Sequence, residues 1–294
     1  MDNGLRGRVT GIVLIAVAAA LVWVLVATVW LWRNQERVVF QPPSAAVDAP
    51  NGVERVQIRA ADGAWVYGYV VPPADAQRSD AVVLAFHGNA DLAAWFVPWA
   101  QELAQRTGAT VVIPEYRGYG GIPGRPTYET AAADAAGAAS FVSDSLHPET
   151  LVIFGHSLGT AIASDVASAL AEQGKAPATL ILQSPFTSAR EMAARLLVPP
   201  IPWLWRRISR VHYETITIVA GLDCPVWVAH GTRDVVIPVR MGRQVFAAAR
   251  HHGELLLVDG AGHNDVPDVG GDRYWAWIGR AMGSARARVV SARP

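Results

Sequence analysis

The part of this 294-residue sequence that best suits chemistry is the pentapeptide Gly155-His156-Ser157-Leu158-Gly159, which joins an apolar run to a run of small residues. A serine with a glycine two positions away on each side is typical of a sharp strand-to-helix turn that presents a nucleophile. A serine hydroxyl is a weak nucleophile until a base removes its proton, and a histidine base needs a carboxylate to hold its ring. The pentapeptide by itself fits a structural joint equally well, so the rest of the chain must supply the base and the acid.

Residues that suit the acid and the base follow two later apolar runs. Asp234 comes shortly after the run Pro225–Ala229, and His263 comes shortly after the run Glu254–Val258. The chain order serine, aspartate, histidine is the order of nucleophile, acid and base in hydrolases built on a parallel sheet. We therefore predict that Ser157 attacks, Asp234 orients the imidazole and His263 takes the proton.

This assignment has competitors among the acidic residues. In one alternative, Asp234 only caps the helix that begins after it. Three other carboxylates lie near His263 in the sequence and are rival acids: Asp259, Asp265 and Asp268. Nearness in sequence does not place a carboxylate behind the imidazole ring, so the order of the motifs favours Asp234.

The same chemistry requires N–H donors for the negative oxygen of the tetrahedral intermediate. We predict the backbone N–H of Leu158, at the start of a helix, and that of Asn89, which follows the apolar run Ala81–Phe86. A serine, histidine and aspartate triad needs no metal or organic cofactor, and the histidines lack the spacing of metal ligands. No cofactor and no metal are therefore predicted.

The elements that must position these residues are short apolar runs separated by helical patterns. The predicted strands are Val53–Arg59, Trp65–Val71, Ala81–Phe86, Thr110–Pro114, Leu151–Phe154, Thr179–Gln183, Pro225–Ala229 and Glu254–Val258. Helices are predicted around residues 91–107, 128–145, 158–173, 238–251 and 272–285. An opening hairpin followed by alternating strands and helices indicates an α/β protein with a mostly parallel eight-stranded sheet and helices on both faces. In such sheets the ligand lies at the carboxyl ends of the strands.

The N-terminus predicts a membrane anchor. Residues 9–32 carry no charged side chain, and as a helix they would span roughly 36 Å, enough to cross a hydrocarbon core of ~30 Å. The alternative is a cleaved signal peptide, but the apolar run continues well past the alanines at 18–20 that resemble a cleavage site. Arginines lie on both sides of the span, so charge does not decide its orientation. We divide the chain into a tail (1–8), a transmembrane anchor (9–32), a linker (33–52) and a catalytic domain (53–294).

Composition excludes several classes of partner. The chain has 25 basic and 25 acidic side chains, so it lacks the excess positive charge of a nucleic-acid-binding protein. Cys224 is the only cysteine, which excludes an intrachain disulfide and a cysteine-based metal cluster. The oligomeric state is left open.

Several motifs together resemble the α/β-hydrolase family, and within it the bud-emergence subgroup with its membrane-associated abhydrolase-domain proteins. They are HGNA (87–90), YRGYG (116–120), GHSLG (155–159), SPFTS (184–188), HGTRD (230–234) and GHND (262–265). The resemblance implies that Ser157 is the nucleophile, Asp234 the acid and His263 the base, acting on esters, thioesters or sometimes amides. Two residues depart from the family pattern: Thr160 replaces a common glycine, and Glu115 a common aspartate. We interpret Arg117 as a structural pairing residue rather than a substrate ligand.

A proline-interrupted insertion at about 190–220 is predicted to form a small cap over the strand ends. Its Trp203 and Trp205, together with Trp95 and Phe96 after the HGNA motif, are predicted to line an apolar pocket for a small-molecule or lipid-like acyl substrate. In the alternatives these aromatic side chains pack in the core, or the tryptophans and arginines of the cap contact a bilayer. The predicted function is a membrane-anchored serine hydrolase of carboxylic esters or thioesters. The alternatives are a peptidase of the same fold and a catalytically silent, tethered binding module.

Overall fold

A computed structural model describes residues 3–44, 50–73, 79–196 and 201–291 of the chain. The strands are β1 (Glu54–Arg59), β2 (Trp65–Val71), β3 (Ala81–Phe86), β4 (Thr110–Pro114), β5 (Thr150–His156), β6 (Thr179–Gln183), β7 (Val226–Gly231) and β8 (His252–Val258). The helices are α1 (Asn3–Val39), α2 (Ala93–Thr107), α3 (Tyr128–Phe141), α4 (Leu158–Glu172), α5 (Ala189–Leu196), α6 (Ile201–Ile208), α7 (Thr215–Gly221), α8 (Val239–Ala248) and α9 (Val266–Ser291). A π-helical turn, Val142–Leu146, extends α3.

The strands form one 8-stranded sheet in the order β1-β2-β4-β3-β5-β6-β7-β8. Strand β2 is antiparallel to both of its neighbours, and all other pairs from β4 to β8 are parallel. Helices α2 and α9 pack on one face, and α3, α4, α7 and α8 on the other. Because both faces are covered, every residue of β3, β6 and β7 is buried, which explains the unbroken apolar sequence of β3 and the mainly apolar sequences of β6 and β7. The predicted mostly parallel sheet is confirmed.

The parallel arrangement brings six chain segments to one edge of the sheet. All six parallel strands, β3 to β8, end at this edge, and each runs into or is followed by one of the sequence motifs. The carboxyl ends of parallel strands are where ligands bind in open α/β sheets. The last helix differs from its prediction, because α9 begins at Val266 and is kinked at Gly271, which has a φ of 48°.

Helix α1 is longer than the predicted span. It continues to Val39, so residues 33–39 of the predicted linker are helical; they contain neither proline nor glycine, and the first prolines come at 42 and 43. The stretch Arg8–Val39 has a mean hydropathy of 2.9 in its most apolar part and is long and apolar enough to cross a membrane. None of that part is buried against the rest of the protein. Linker residues 45–49 lie outside the described residues.

The predicted cap consists of helices α5 and α6, which lie between β6 and β7 in the chain; the third helix between these strands, α7, packs beside α4 and α8. Helix α6 packs against both α5 and α1. A small apolar cluster joins Leu31 of α1 to Ala193 and Trp205 of the cap. The proline pair at 199 and 200, predicted to interrupt the cap, lies outside the described residues. The cap therefore contacts the N-terminal helix directly.

Candidate active site

Ser157 occupies a strained turn between β5 and α4. Its φ of 54° and ψ of −118° are rarely adopted by a residue with a side chain. The flanking glycines are required by packing: a Cβ on Gly155 would lie 2.3 Å from the Gly159 carbonyl oxygen, and one on Gly159 would lie 2.2 Å from that of Phe86. The glycine spacing therefore lets strand, turn and helix approach closely enough to hold Ser157 at the sheet edge.

The structure brings the three predicted triad side chains together. Ser157 Oγ lies 2.8 Å from His263 Nε2, and His263 Nδ1 lies 2.7 Å from Asp234 Oδ2. Ser157 and Asp234 are buried, and the His263 side chain is 10% exposed. With Nδ1–H donating to the carboxylate, Nε2 is free to accept the serine proton, as a general base must.

The two oxygens of Asp234 have different partners. Oδ1 accepts hydrogen bonds from the backbone N–H groups of Val236 and Ile237. Oδ2 faces His263, and it is 3.2 Å from His230 Nε2. Burial opposes ionisation, but the hydrogen bonds from His230, His263 and Ile237 outweigh it and hold the pKa of Asp234 well below its usual range. Asp234 thus both organises the turn that precedes α8 and carries the negative charge behind His263.

Two of the three rival acids have other partners. Asp259 accepts a hydrogen bond from Thr232, and Asp265 accepts one from the Gly262 backbone. Asp268 lies in the wall of a cavity beside His263. The carboxylate bonded to the His263 ring is that of Asp234.

His156, inside the serine motif, is held in its neutral form. Its Nε2 lies 3.3 Å from the His263 carbonyl oxygen, so this nitrogen donates. Burial, and next the nearby His263, lower the pKa of His156 to about 3. His156 therefore packs beneath the backbone of His263 without competing for its proton.

The two predicted oxyanion donors flank Ser157. Leu158 is the first residue of α4, where backbone N–H groups have no acceptor within the helix. Leu158 and Asn89 both line a cavity that reaches Ser157. The Asn89 side chain is occupied elsewhere: its Nδ2 donates to the Val39 carbonyl oxygen, and its Oδ1 accepts from Tyr119.

A buried ion pair that the sequence analysis missed supports the Asn89 loop. His87 Nε2 lies 2.9 Å from Glu115 Oε1, and both side chains are inaccessible to solvent. Glu115 also accepts hydrogen bonds from the backbone N–H groups of Tyr116 and Ala93. Burial opposes protonation of His87, but the charge of Glu115 outweighs it and raises the pKa of His87. Glu115, which departs from the family pattern, links the end of β4 to the turn after β3 through these contacts.

We expect Glu115→Gln to lower the free energy of unfolding by about 3 kcal/mol, because it removes one partner of a buried ion pair. The folded-state pKa of His87 is raised, so the contribution of the pair is complete below about pH 6.5, the unfolded value, and is lost as pH rises through the folded value. Chemical denaturation of the parent and the variant across this pH range measures both effects.

The matched control is Glu254→Gln, which removes the partner of Arg280 in a half-exposed pair. We expect that change to cost less than about 1 kcal/mol. Equal losses from the two variants would contradict a structural role for the buried pair.

Arg117 is positioned as a pairing residue. Its guanidinium contacts Asp62 and Asp134, each at 2.7 Å, and its backbone N–H donates to Asp134. These contacts tie the hairpin turn between β1 and β2 to α3, away from Ser157. They support the structural interpretation made from the sequence.

Two cavities meet at Ser157. One, of about 290 Å³, is mainly apolar and is lined by residues of the cap, of the end of α1 and of the loop before α8, including Val39, Phe186, Met192 and Trp205. The other, of about 710 Å³, has aromatic and acidic walls that include Trp95, Phe96 and Asp268. Ser157 therefore separates an apolar compartment from a more polar one.

The predicted pocket aromatics are divided by these cavities. Trp205 is buried in the apolar cavity, whereas Trp95 and Phe96 line the other one. Trp203 is not among the described residues that line either cavity; it is 58% exposed, with Arg207 over its ring. The two cap tryptophans lie roughly 200° apart around α6, so only one can face inward. The prediction of Trp203 as a pocket residue was wrong.

Comparison with known proteins shows the family and the fold of the chain. A family model described as serine aminopeptidase, S33, matches residues 77–221. An uncharacterised protein of Mycobacterium tuberculosis is 35% identical over 244 residues, which cover 80% of this chain and 83% of that protein. The lysophosphatidylserine lipase ABHD12 of Danio rerio is 30% identical over 191 residues, which cover 61% of this chain and 50% of that protein. The esterase Pf2001 of Pyrococcus furiosus superposes with a TM-score of 0.63 at 16% identity, over 85% of this chain and 98% of that one, and shows the likeness of fold.

The chain belongs to the α/β-hydrolase family, which confirms the resemblance inferred from the motifs. Family and site geometry together define the class of protein as a serine ester hydrolase.

Proposed function

We propose that this protein is a membrane-anchored serine hydrolase that cleaves carboxylic ester or thioester bonds through an acyl-enzyme on Ser157. The observation that carries the proposal is the hydrogen-bonded line from Ser157 through His263 to Asp234. In this proposal Ser157 is the nucleophile, His263 the base and Asp234 the acid that orients it. The backbone N–H groups of Asn89 and Leu158 hold the oxyanion.

The reaction has two halves. As Ser157 Oγ attacks the carbonyl carbon, its proton passes to His263 Nε2, and the negative charge that develops on the carbonyl oxygen faces the two N–H donors. Collapse of this intermediate breaks the bond to the alcohol or thiol, which leaves with the proton from His263. Water then attacks the acyl-enzyme with His263 as base, and the proton returned by His263 regenerates Ser157 as the acid is released.

The two cavities support a lipid-like substrate. The apolar cavity beside Ser157 suits an acyl chain, and the larger cavity on the His263 side suits a polar leaving group. The relative from Danio rerio is named as a lipase of lysophosphatidylserine, which likewise joins one acyl chain to a polar group. The proposed substrate class is therefore a carboxylic ester or thioester with one apolar acyl chain.

Helix α1 supports attachment to a membrane. Its large apolar side chains from Val9 to Trp30 are largely exposed, and its length and composition suit a bilayer span. An exposed apolar surface of this kind is costly in water and stable in lipid. We propose a single-pass N-terminal anchor.

The test is a chain-length series of nitrophenyl esters with the full-length protein in detergent. We expect kcat/KM to rise from acetate to octanoate, because each buried methylene contributes about 0.8 kcal/mol and two more of them raise the rate constant about tenfold. Protein inactivated on Ser157 by a fluorophosphonate measures the background hydrolysis. Equal or falling rates along the series would contradict an apolar acyl cavity.

A peptidase of the same fold is the second candidate, because the matching family model is described as a serine aminopeptidase. Aminoacyl nitroanilides tested beside the esters decide between them: hydrolysis of the anilides without hydrolysis of the esters supports the peptidase. A folded protein that does not react with the fluorophosphonate supports the third candidate, a catalytically silent tethered module.

A further inference from the structure

The C-terminal end of helix α1 lies beside the nucleophile. Val38, Val39 and Gln41 line the apolar cavity together with Ser157 and cap residues. The cavity walls therefore come from three separate parts of the chain: the catalytic core, the cap and the helix proposed to cross the membrane. A pocket built only by the core and the cap would be open on the α1 side.

Hydrogen bonds tie this end of α1 to the loop that carries a proposed oxyanion donor. Asn89 Nδ2 donates to the Val39 carbonyl oxygen at 2.6 Å, and the Gln41 backbone N–H donates to Asn89 Oδ1 at 2.9 Å. Tyr119 donates to the same Oδ1 at 2.8 Å. Both polar ends of the Asn89 side chain are thus held, and two of the three contacts come from α1 and the residues that follow it.

The cap fixes the same segment of α1 from the other side. Gln35 is inaccessible to solvent, and its Oε1 accepts from the Arg210 backbone N–H at 2.7 Å. The Arg210 side chain bonds Glu36 at 2.8 Å. A buried glutamine is costly unless it is hydrogen-bonded, so these contacts hold α1 in one place relative to the cap.

We propose that the end of α1 and the two residues that follow it, Val38–Gln41, are a functional part of the acyl-binding site: the two valines form a wall against the acyl chain, and the backbone of Val39 and Gln41 positions Asn89. The proposal rests on the function proposed above. It means that an acyl chain leaving the bilayer follows α1 directly to Ser157. It also means that chain-length preference depends on a segment that precedes the strands of the α/β domain in the chain.

The first test is Val39→Trp in the full-length protein, with Val29→Trp as the matched control. Val29 lies on the same helix, is 44% exposed and is remote from the cavity. The measured quantity is the ratio of kcat/KM for octanoate to that for acetate. Filling the cavity at this wall should lower this ratio about tenfold, the effect of losing about two methylenes of contact, whereas the control should keep the ratio of the parent.

The outcomes separate this inference from the proposed function. An unchanged ratio in a Val39→Trp protein that still reacts with the fluorophosphonate overturns the inference and leaves the hydrolase intact. A parent that neither reacts with the probe nor cleaves esters overturns the proposed function, and this inference with it.

A second test does not depend on a bulky substitution. In the Val39→Cys variant, a decyl phosphonate on Ser157 should slow maleimide alkylation of the introduced thiol about tenfold, because the decyl chain excludes the reagent from the thiolate. A methyl phosphonate on Ser157 should leave the alkylation rate unchanged. Arg37→Cys, on the exposed face of the same turn, is the control and should react equally in both cases. Burial raises the pKa of the native Cys224 thiol to about 11, so it does not compete at neutral pH. Equal alkylation rates of the thiol at position 39 with the two phosphonates on Ser157 would overturn the inference.

Discussion

Replacing Ser157 by alanine is expected to lower kcat on the order of 10⁶-fold, as loss of the nucleophile does in other serine hydrolases. The reason is local: Ser157 Oγ is the atom 2.8 Å from His263 Nε2, and an alanine leaves the base with no proton to take. The change removes one oxygen and no packing carbon. The expected protein is therefore folded and inactive, with the melting temperature of the parent.

The control is Ser164→Ala, in the helix α4 that follows Ser157. The Ser164 hydroxyl is also buried, but it bonds only the Thr160 carbonyl oxygen. This variant should keep its activity and its reaction with the fluorophosphonate. Combining Ser157→Ala with His263→Ala should lower kcat no further than the first change alone, because the two side chains act as a unit. Additive losses, or probe labelling that survives without Ser157, would show that the nucleophile is elsewhere.

Asp234→Asn is expected to lower kcat on the order of 10⁴-fold, through the wrong tautomer of His263. Two backbone N–H groups, of Val236 and Ile237, point at Oδ1, so an asparagine must place its carbonyl oxygen there. Its NH₂ group then occupies the position of Oδ2 and donates to His263 Nδ1. This moves the ring proton to Nε2, which can no longer accept from Ser157.

The measurement is kcat at saturating ester, with Asp259→Asn as the control. Asp259 is the rival acid next to β8, and its carboxylate bonds Thr232 instead of the imidazole. The control should retain the activity of the parent, and Asp234→Asn should still bind substrate. Loss of activity in the Asp259 variant, with retention in the Asp234 variant, would reverse the assignment of the acid.

The sequence by itself predicted the sheet and the residues gathered at its edge. Four of the predicted strands, including Ala81–Phe86 and Thr179–Gln183, have the bounds found in the structure. These features can be predicted because each depends on a short stretch of sequence. A strand covered on both faces is mainly apolar, and the glycines around Ser157 are required because a Cβ there would make contacts of under 3 Å. Parallel pairing then brings the residues after β5, β7 and β8 to one edge wherever the rest of the chain lies.

The tertiary structure alone decided which neighbours these residues have. Periodicity could not separate Trp203 from Trp205, because which of them faces inward depends on how α6 lies against α1. The same holds for the His87–Glu115 pair and for the bonds from Asn89 to Val39 and Gln41, whose partners are far apart in the chain. Such contacts depend on how helices and loops pack on the sheet, and no local pattern of residues records that packing. The contribution of α1 to the wall of the apolar cavity depends in the same way on how the helix, the cap and the Asn89 loop pack against one another.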